Sequence, residues 1–109
     1  MNDSNTARRA VRVRLVYDQD PASEPYTFDI MLDPAGRIVD SGPVFGQCAD
    51  YPAILKPEGI IDFGPAMDEA SRYYRTDLRT LPVTSGTQVV VRDADNNAWI
   101  YRVAAVEPR

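Results

Sequence analysis

Apolar residues recur along this chain with two different periods, and the change from one to the other sets the predicted elements. Val11, Val13, Leu15 and Tyr17 alternate with Arg12, Arg14, Val16 and Asp18. Successive strand side chains point to opposite faces, so this period of two predicts a half-buried strand. Gln19 to Pro25 holds two prolines, a serine and two acids, and reads as an exposed loop. Tyr26, Phe28, Ile30 and Leu32 then line one face of a second strand, with Thr27, Asp29, Met31 and Asp33 on the other. Asp33-Pro34-Ala35-Gly36 puts aspartate, proline and glycine at favoured type I turn positions. The turn returns the chain as a short third strand over 37–40. Connections this short cannot make a parallel crossover, so an antiparallel meander is predicted.

The stretch from Ser41 to Pro65 carries Pro43, Pro52, Pro57 and Pro65 with Gly42, Gly46, Gly59 and Gly64, which break long elements. It also carries Val44, Phe45, Tyr51, Ile54, Ile60 and Phe63, too apolar for disorder. It is predicted to be an ordered excursion with one helical turn over 49–55. Beyond Gly64-Pro65 the period changes. Met67, Ala70, Tyr74, Leu78 and Leu81 recur at threes and fours, the stripe of an amphipathic helix that Pro82 would end. Asp68 and Glu69 fall in its first turns, and Arg72 follows Asp68 at the spacing of a helical ion pair. After Ser85-Gly86 come two strands, over 87–93 and 98–106. In the second, Trp99, Tyr101, Val103 and Ala105 oppose Ile100, Arg102, Ala104 and Val106, so this strand is predicted to be covered on both faces.

Together these elements predict an α+β domain. A twisted antiparallel sheet of about five strands would run as β-meander, irregular excursion, helix and β-hairpin, with one main helix packed on one face. The alternative is a partly open small β-barrel capped by the helix. The division is a disordered N-terminal tail over 1–10 and a single domain over 11–107.

Composition adds exclusions. The chain has 109 residues, 44% hydrophobic and 26% charged, which suits one soluble domain with its own core. No apolar run approaches the roughly 20 residues that span a bilayer. Met1 to Ala10 is polar and ends near Arg8-Arg9, without the apolar segment of a signal peptide. The one cysteine, Cys48, excludes an internal disulfide framework and points to a reducing, cytoplasmic setting. Histidine is absent, which removes the commonest general base and the commonest zinc ligand together. The formal net charge is -4 with the basic residues scattered, against a nucleic-acid partner, which needs a basic stripe. Arg12 and Arg14 mark the solvated face of a strand. Arg72, Arg75 and Arg79 would do the same for the helix.

Candidate chemistry is thin. Asp93-x-Asp95-x-Asn97 matches the opening of a calcium loop, but that loop's later glycine and glutamate positions hold Ala98 and Ala104. A polar hairpin tip is the reading that stands. Cys48 lacks a histidine to activate it and reads as a buried small hydrophobe. Asp29 with Asp33, or Asp62 with Asp68 and Glu69, could supply paired carboxylates, yet nothing in sequence shows a cleft around them. The glycines fit no phosphate-binding fingerprint. No catalytic residue, metal ligand or cofactor is therefore assigned.

The aromatics carry the remaining signal: six tyrosines, three phenylalanines and one tryptophan. Tyr73 and Tyr74 are adjacent and would lie about 100° apart on a helix, so one of them must leave the core. Tyrosine, tryptophan and arginine are enriched at binding hot spots. Tyr51, Arg72, Tyr73, Trp99 and Tyr101 are the candidate binding residues. The first expectation is a non-catalytic accessory or protein-interaction module, its partner another protein or a second copy paired through the sheet edge or the last strand. The second is a small-molecule binder with an aromatic-lined pocket between helix, sheet and excursion. The third is a small enzyme with Asp and Tyr as acid and base.

Overall fold

In a computed structural model, residues 8–39 and 42–109 are described. Eight antiparallel strands follow one another around a closed barrel. They are β1 (Arg9–Tyr17), β2 (Tyr26–Leu32), β3 (Val44–Cys48), β4 (Tyr51–Leu55), β5 (Ile60–Asp62), β6 (Tyr73–Thr76), β7 (Gln88–Arg92) and β8 (Ala98–Pro108). Each pairs with its neighbours in sequence, and β8 pairs back onto β1 to close the wall. Alternation then sorts the side chains. Val11, Val13 and Leu15 of β1, Phe28, Ile30 and Leu32 of β2, and Val89 and Val91 of β7 all point inward and are buried.

The fold is thus an all-β barrel and not an α+β domain. The expected helix is absent. Its span holds two single 3₁₀ turns, Glu69–Ser71 and Leu78–Thr80, on either side of β6. The sequence Tyr-Tyr-Arg-Thr suits a pleated, half-buried surface, and its alternation places Tyr74 beside the inward Ile61 and Tyr73 beside the outward Asp62. Without β6 the wall would expose unpaired edges on β5 and β7. The helical stripe is therefore a coincidence of spacing. Tyr74 reaches the core from a strand, while Leu78 reaches it from a 3₁₀ turn and Leu81 from the residue that caps it.

The 41–65 excursion is three strands of the barrel. No helical turn forms over 49–55; Ala49, at φ 56°, turns the chain tightly from β3 into β4. Pro52 lies outside the part of β4 that pairs with β5, which is Ile54 and Leu55, so its missing N–H has no ladder bond to lose on that side. The third strand expected over 37–40 shrinks to one bridge, Leu32 to Ile38, and Asp40 lies outside the described residues. The two-sided last strand is also corrected. Arg14 pairs with Ala105 and Leu15 with Val103, so Ala104 is an extra residue, a β-bulge. The bulge flips the alternation and turns Val106 toward the core. Among the described residues each strand of the closed wall has a neighbour on both sides.

The meander sends its connections to two ends. Segments 33–39, 42–43, 56–59 and 77–87 form the base, which Ile38, Leu78, Leu81 and Val83 plug with apolar side chains. There Arg79 donates from Nε to the Lys56 carbonyl at 3.0 Å and from Nη2 to those of Gly42 and Leu55 at 2.7 and 3.0 Å. It ties two base loops together. Loops 18–25, 49–50, 63–72 and 93–97 form the other end, the mouth. The tail expected over 1–10 meets the described chain only at its end, where β1 begins at Arg9; positions 1–7 lie outside the described residues.

Candidate functional site

Strand ends decide what gathers at the mouth. β1, β3, β5 and β7 finish there, and β2, β4, β6 and β8 start there. Tyr17 is the last residue of β1, Tyr26, Tyr51 and Tyr73 are the first of β2, β4 and β6, Tyr74 is the second of β6, and Tyr101 lies early in β8. All six tyrosines of the chain, with Trp99, therefore stand at one end. The period of two then divides them. Tyr17, Tyr26, Tyr74, Trp99 and Tyr101 face the lumen, while Tyr51 and Tyr73 face outward.

The inward rings line a cavity of 460 Å³, with Glu24, Asp50 and Asp93 at its edge. Tyr26 stacks on Tyr101 with centroids 4.6 Å apart and planes at 27°. Tyr17 meets Trp99 edge to face at 5.8 Å and Tyr101 at 5.6 Å. Phe63 buttresses Tyr74 at 4.9 Å. Contacts of this geometry contribute about 1 kcal/mol per pair beyond area burial, which favours a preformed wall. Trp99 donates its indole N–H to Asp93 Oδ2 at 2.9 Å. Asp93 Oδ1 accepts the backbone N–H groups of Asp95 and Asn97. The Asp-x-Asp-x-Asn motif is thus a hairpin tip that also aims a ring.

Burial raises the phenols of Tyr26, Tyr101 and Tyr74 and keeps them protonated. Cys48, near these three phenols, is pushed up to about 12 by burial. Asp93 is held below the usual carboxylate range, first by the Trp99 N–H and then by the Asn97 amide. Glu24 is raised by its hydrogen bond with Asp50. The cavity is lined by aromatic rings and neutral hydroxyls, with acidic side chains at its rim.

The sequence candidates separate into two places. Trp99 and Tyr101 belong to the mouth. Arg72 and Tyr73 lie on the outer wall, where Arg72 Nε donates to Asp62 Oδ1 at 2.8 Å and its Cζ sits 5.0 Å from the Tyr73 ring centre. Lys56 Nζ completes that group 3.4 Å from Asp62 Oδ2. Tyr51 is also outward, 58% exposed, with its ring 6.5 Å from Phe63. The arginines expected on a solvated helix face are instead an ion-pair partner (Arg72), a loop tie (Arg79) and an outer-wall residue paired in register with Arg92 (Arg75). Sequence reasoning missed Tyr17, Tyr26 and Tyr74 as site residues. The signal was present, since Tyr17 and Tyr26 end two inward stripes across one loop.

The remaining carboxylates have structural work. Asp29 accepts from Arg12 Nε and Nη2 at 2.8 and 3.1 Å and from Arg109 Nη1 at 2.7 Å. Asp33 accepts the amides of Ala35 and Arg37 in its turn. The two do not form an acid–base pair. A separate groove of 390 Å³ on the outer wall, lined by Glu58, Arg75, Asp77 and Arg92 among others, mixes both charges. Among the described residues no helix is long and apolar enough to cross a membrane. Comparison with protein-family models, with curated proteins and with solved structures gave no match.

Proposed function

We propose that this protein is a non-catalytic small-molecule-binding barrel whose ligand enters the aromatic mouth. The observation that carries the reading is the 460 Å³ cavity walled by Tyr17, Tyr26, Tyr74, Trp99 and Tyr101. Eight-stranded barrels are just wide enough to hold one small ligand, and this cavity falls within the usual range for ligand sites. The asymmetry of the ends supports it, because the base is plugged while the mouth keeps its space. The pocket expected between a helix and the 41–65 excursion gives way to one between strand ends. The free, buried Cys48 supports a reducing, cytoplasmic setting.

The test is a panel of small cationic, neutral and anionic compounds followed by ¹⁵N–¹H spectra. At least one class should shift the Trp99 indole and the amides of Tyr17, Tyr26, Tyr74 and Tyr101, and Tyr101→Ala should abolish the shifts. A panel in which no compound moves the mouth overturns the reading.

A second observation favours a protein-interaction module. Phe45 is 66% exposed and flanks an apolar outer groove of 440 Å³ with Pro52, Ile54 and Phe63. Exposed apolar patches mark interaction surfaces, for another protein or a second copy. Concentration-dependent sedimentation that Phe45→Ser abolishes would support self-association; unchanged sedimentation would remove that form of it.

A further inference from the structure

We propose that the mouth selects an organic cation, a quaternary ammonium or protonated amine, over neutral and anionic ligands of the same shape. This rests on the mouth being the ligand site and assigns its chemical class. The ring faces supply the first half of the argument. Trp and Tyr rings carry electron-rich faces that attract a cation within about 6 Å, most strongly where water is excluded. Here four tyrosines and the tryptophan converge on one lumen.

Charge supplies the second half, independently. The side chains lining the cavity include Glu24, Asp50 and Asp93 and no lysine or arginine. Glu24 and Asp50 line the cavity together, and the neighbouring Asp50 carboxylate raises Glu24. Among the described residues no ion pair neutralises Glu24, Asp50 or Asp93. The bias extends over the whole end. The four mouth loops hold several acids and one basic residue, Arg72, which is bound to Asp62 on the outer wall. Arg37, Lys56 and Arg79 all lie in the base loops. Arg102 of β8 neutralises Asp18 and Arg92 of β7 donates to the Asn96 carbonyl, and the acids of the mouth loops still outnumber these cations, an excess that draws cations in and repels anions.

Competing ligand classes fit less well. A neutral apolar ligand would cover rim carboxylates without pairing them, a cost of desolvation with nothing in return. A hard metal ion needs several free oxygen ligands, yet the Asp93 oxygens already accept from Trp99, Asp95 and Asn97. A soft, bulky cation uses the rings and the rim at once.

The experiment compares choline with its uncharged isostere 3,3-dimethylbutan-1-ol, titrated into the full chain and read from the Trp99 indole and mouth amides. Choline should bind at least roughly tenfold more tightly, the size of a desolvated cation–π gain. That preference should shrink as salt rises. The double variant Glu24→Gln, Asp50→Asn should weaken choline several-fold and leave the isostere unchanged. Equal or tighter binding of the isostere overturns cation selection while the mouth remains a ligand site. Mouth shifts from other panel compounds, with neither probe binding, overturn it as well. If no compound of any class moves the mouth, both this inference and the reading beneath it fail.

Discussion

The indole N–H of Trp99 is fixed by Asp93 Oδ2 at 2.9 Å, so the residue that follows β7 orients the ring at the start of β8. The same carboxylate folds the hairpin tip between them. Asp93→Ala should release both together. The chain's single tryptophan then reports the loss as a red-shifted emission and a moved indole resonance. Asp93 is depressed below the ordinary carboxylate range, chiefly by this bond. The bond should therefore survive throughout pH 5–8 and fail only in stronger acid. Emission that titrates near neutrality would contradict this assignment.

Asp62 sets a second pH dependence on the outer wall. It is 8% exposed and lowered to about 2, first by the Arg72 hydrogen bond and further by the Gly64 amide and Lys56. A carboxyl with a depressed folded-state value stabilises the fold above its unfolded value, near 3.9. That contribution is lost as pH falls from about 4 to about 2. Allowing for solvent screening at the wall, it is on the order of 1 kcal/mol. Urea midpoints measured across this window should fall for the parent chain. In Asp62→Asn they should start lower and fall less.

Gly46 should be among the least replaceable positions. It faces inward on β3, where a Cβ would collide with the Thr27 carbonyl oxygen and the Phe28 ring. Phe28 is fully buried and occupies the space a side chain would need. Gly46→Ala should cost at least about 2 kcal/mol as overpacking and lower Tm by roughly 10 °C. Combining it with Phe28→Leu should cost less than the two changes summed, because both act on one volume. Thermal unfolding of the four proteins in the cycle checks the sign of that coupling.

The strands legible in the sequence are those with long local alternation and explicit turn chemistry. β1 and β2 alternate over seven or more residues, and Asp33 to Gly36 forms the turn its residues favour, with the Gly36 amide on the Asp33 carbonyl. β5 and β6 are three and four residues long, too short for any period to emerge. Their place in the wall is set by ladder partners far along the chain. Tyr74, Leu78 and Leu81 do reach the core, as the helical reading required, but from different kinds of backbone. The site was half legible for a related reason. Local pattern marks Trp99 and Tyr101 as sharing a face. That Tyr17, Tyr26 and Tyr74 meet them is a property of closure, which brings β1, β2, β6 and β8 to one rim.

Cys48 offers a direct probe of how far that rim opens. Its side chain is 2% exposed, and burial raises the thiol to about 12 from an ordinary value near 8.5. Thiolate is the reactive form, so iodoacetamide at pH 8 should modify the native chain at least about a hundredfold more slowly than the urea-unfolded chain. Residual native reaction then measures opening of the barrel at this position. The raised value also has a stability sign. Protection of the neutral thiol is complete below about 8.5 and is lost as pH rises toward about 12, because the unfolded chain ionises first. Cys48→Ala should remove the part of that decline that begins near pH 8.5, leaving the later decline that the raised phenols of Tyr26, Tyr74 and Tyr101 impose. A thiol that reacts at the unfolded rate would show that Tyr26 and Tyr101 do not close over it.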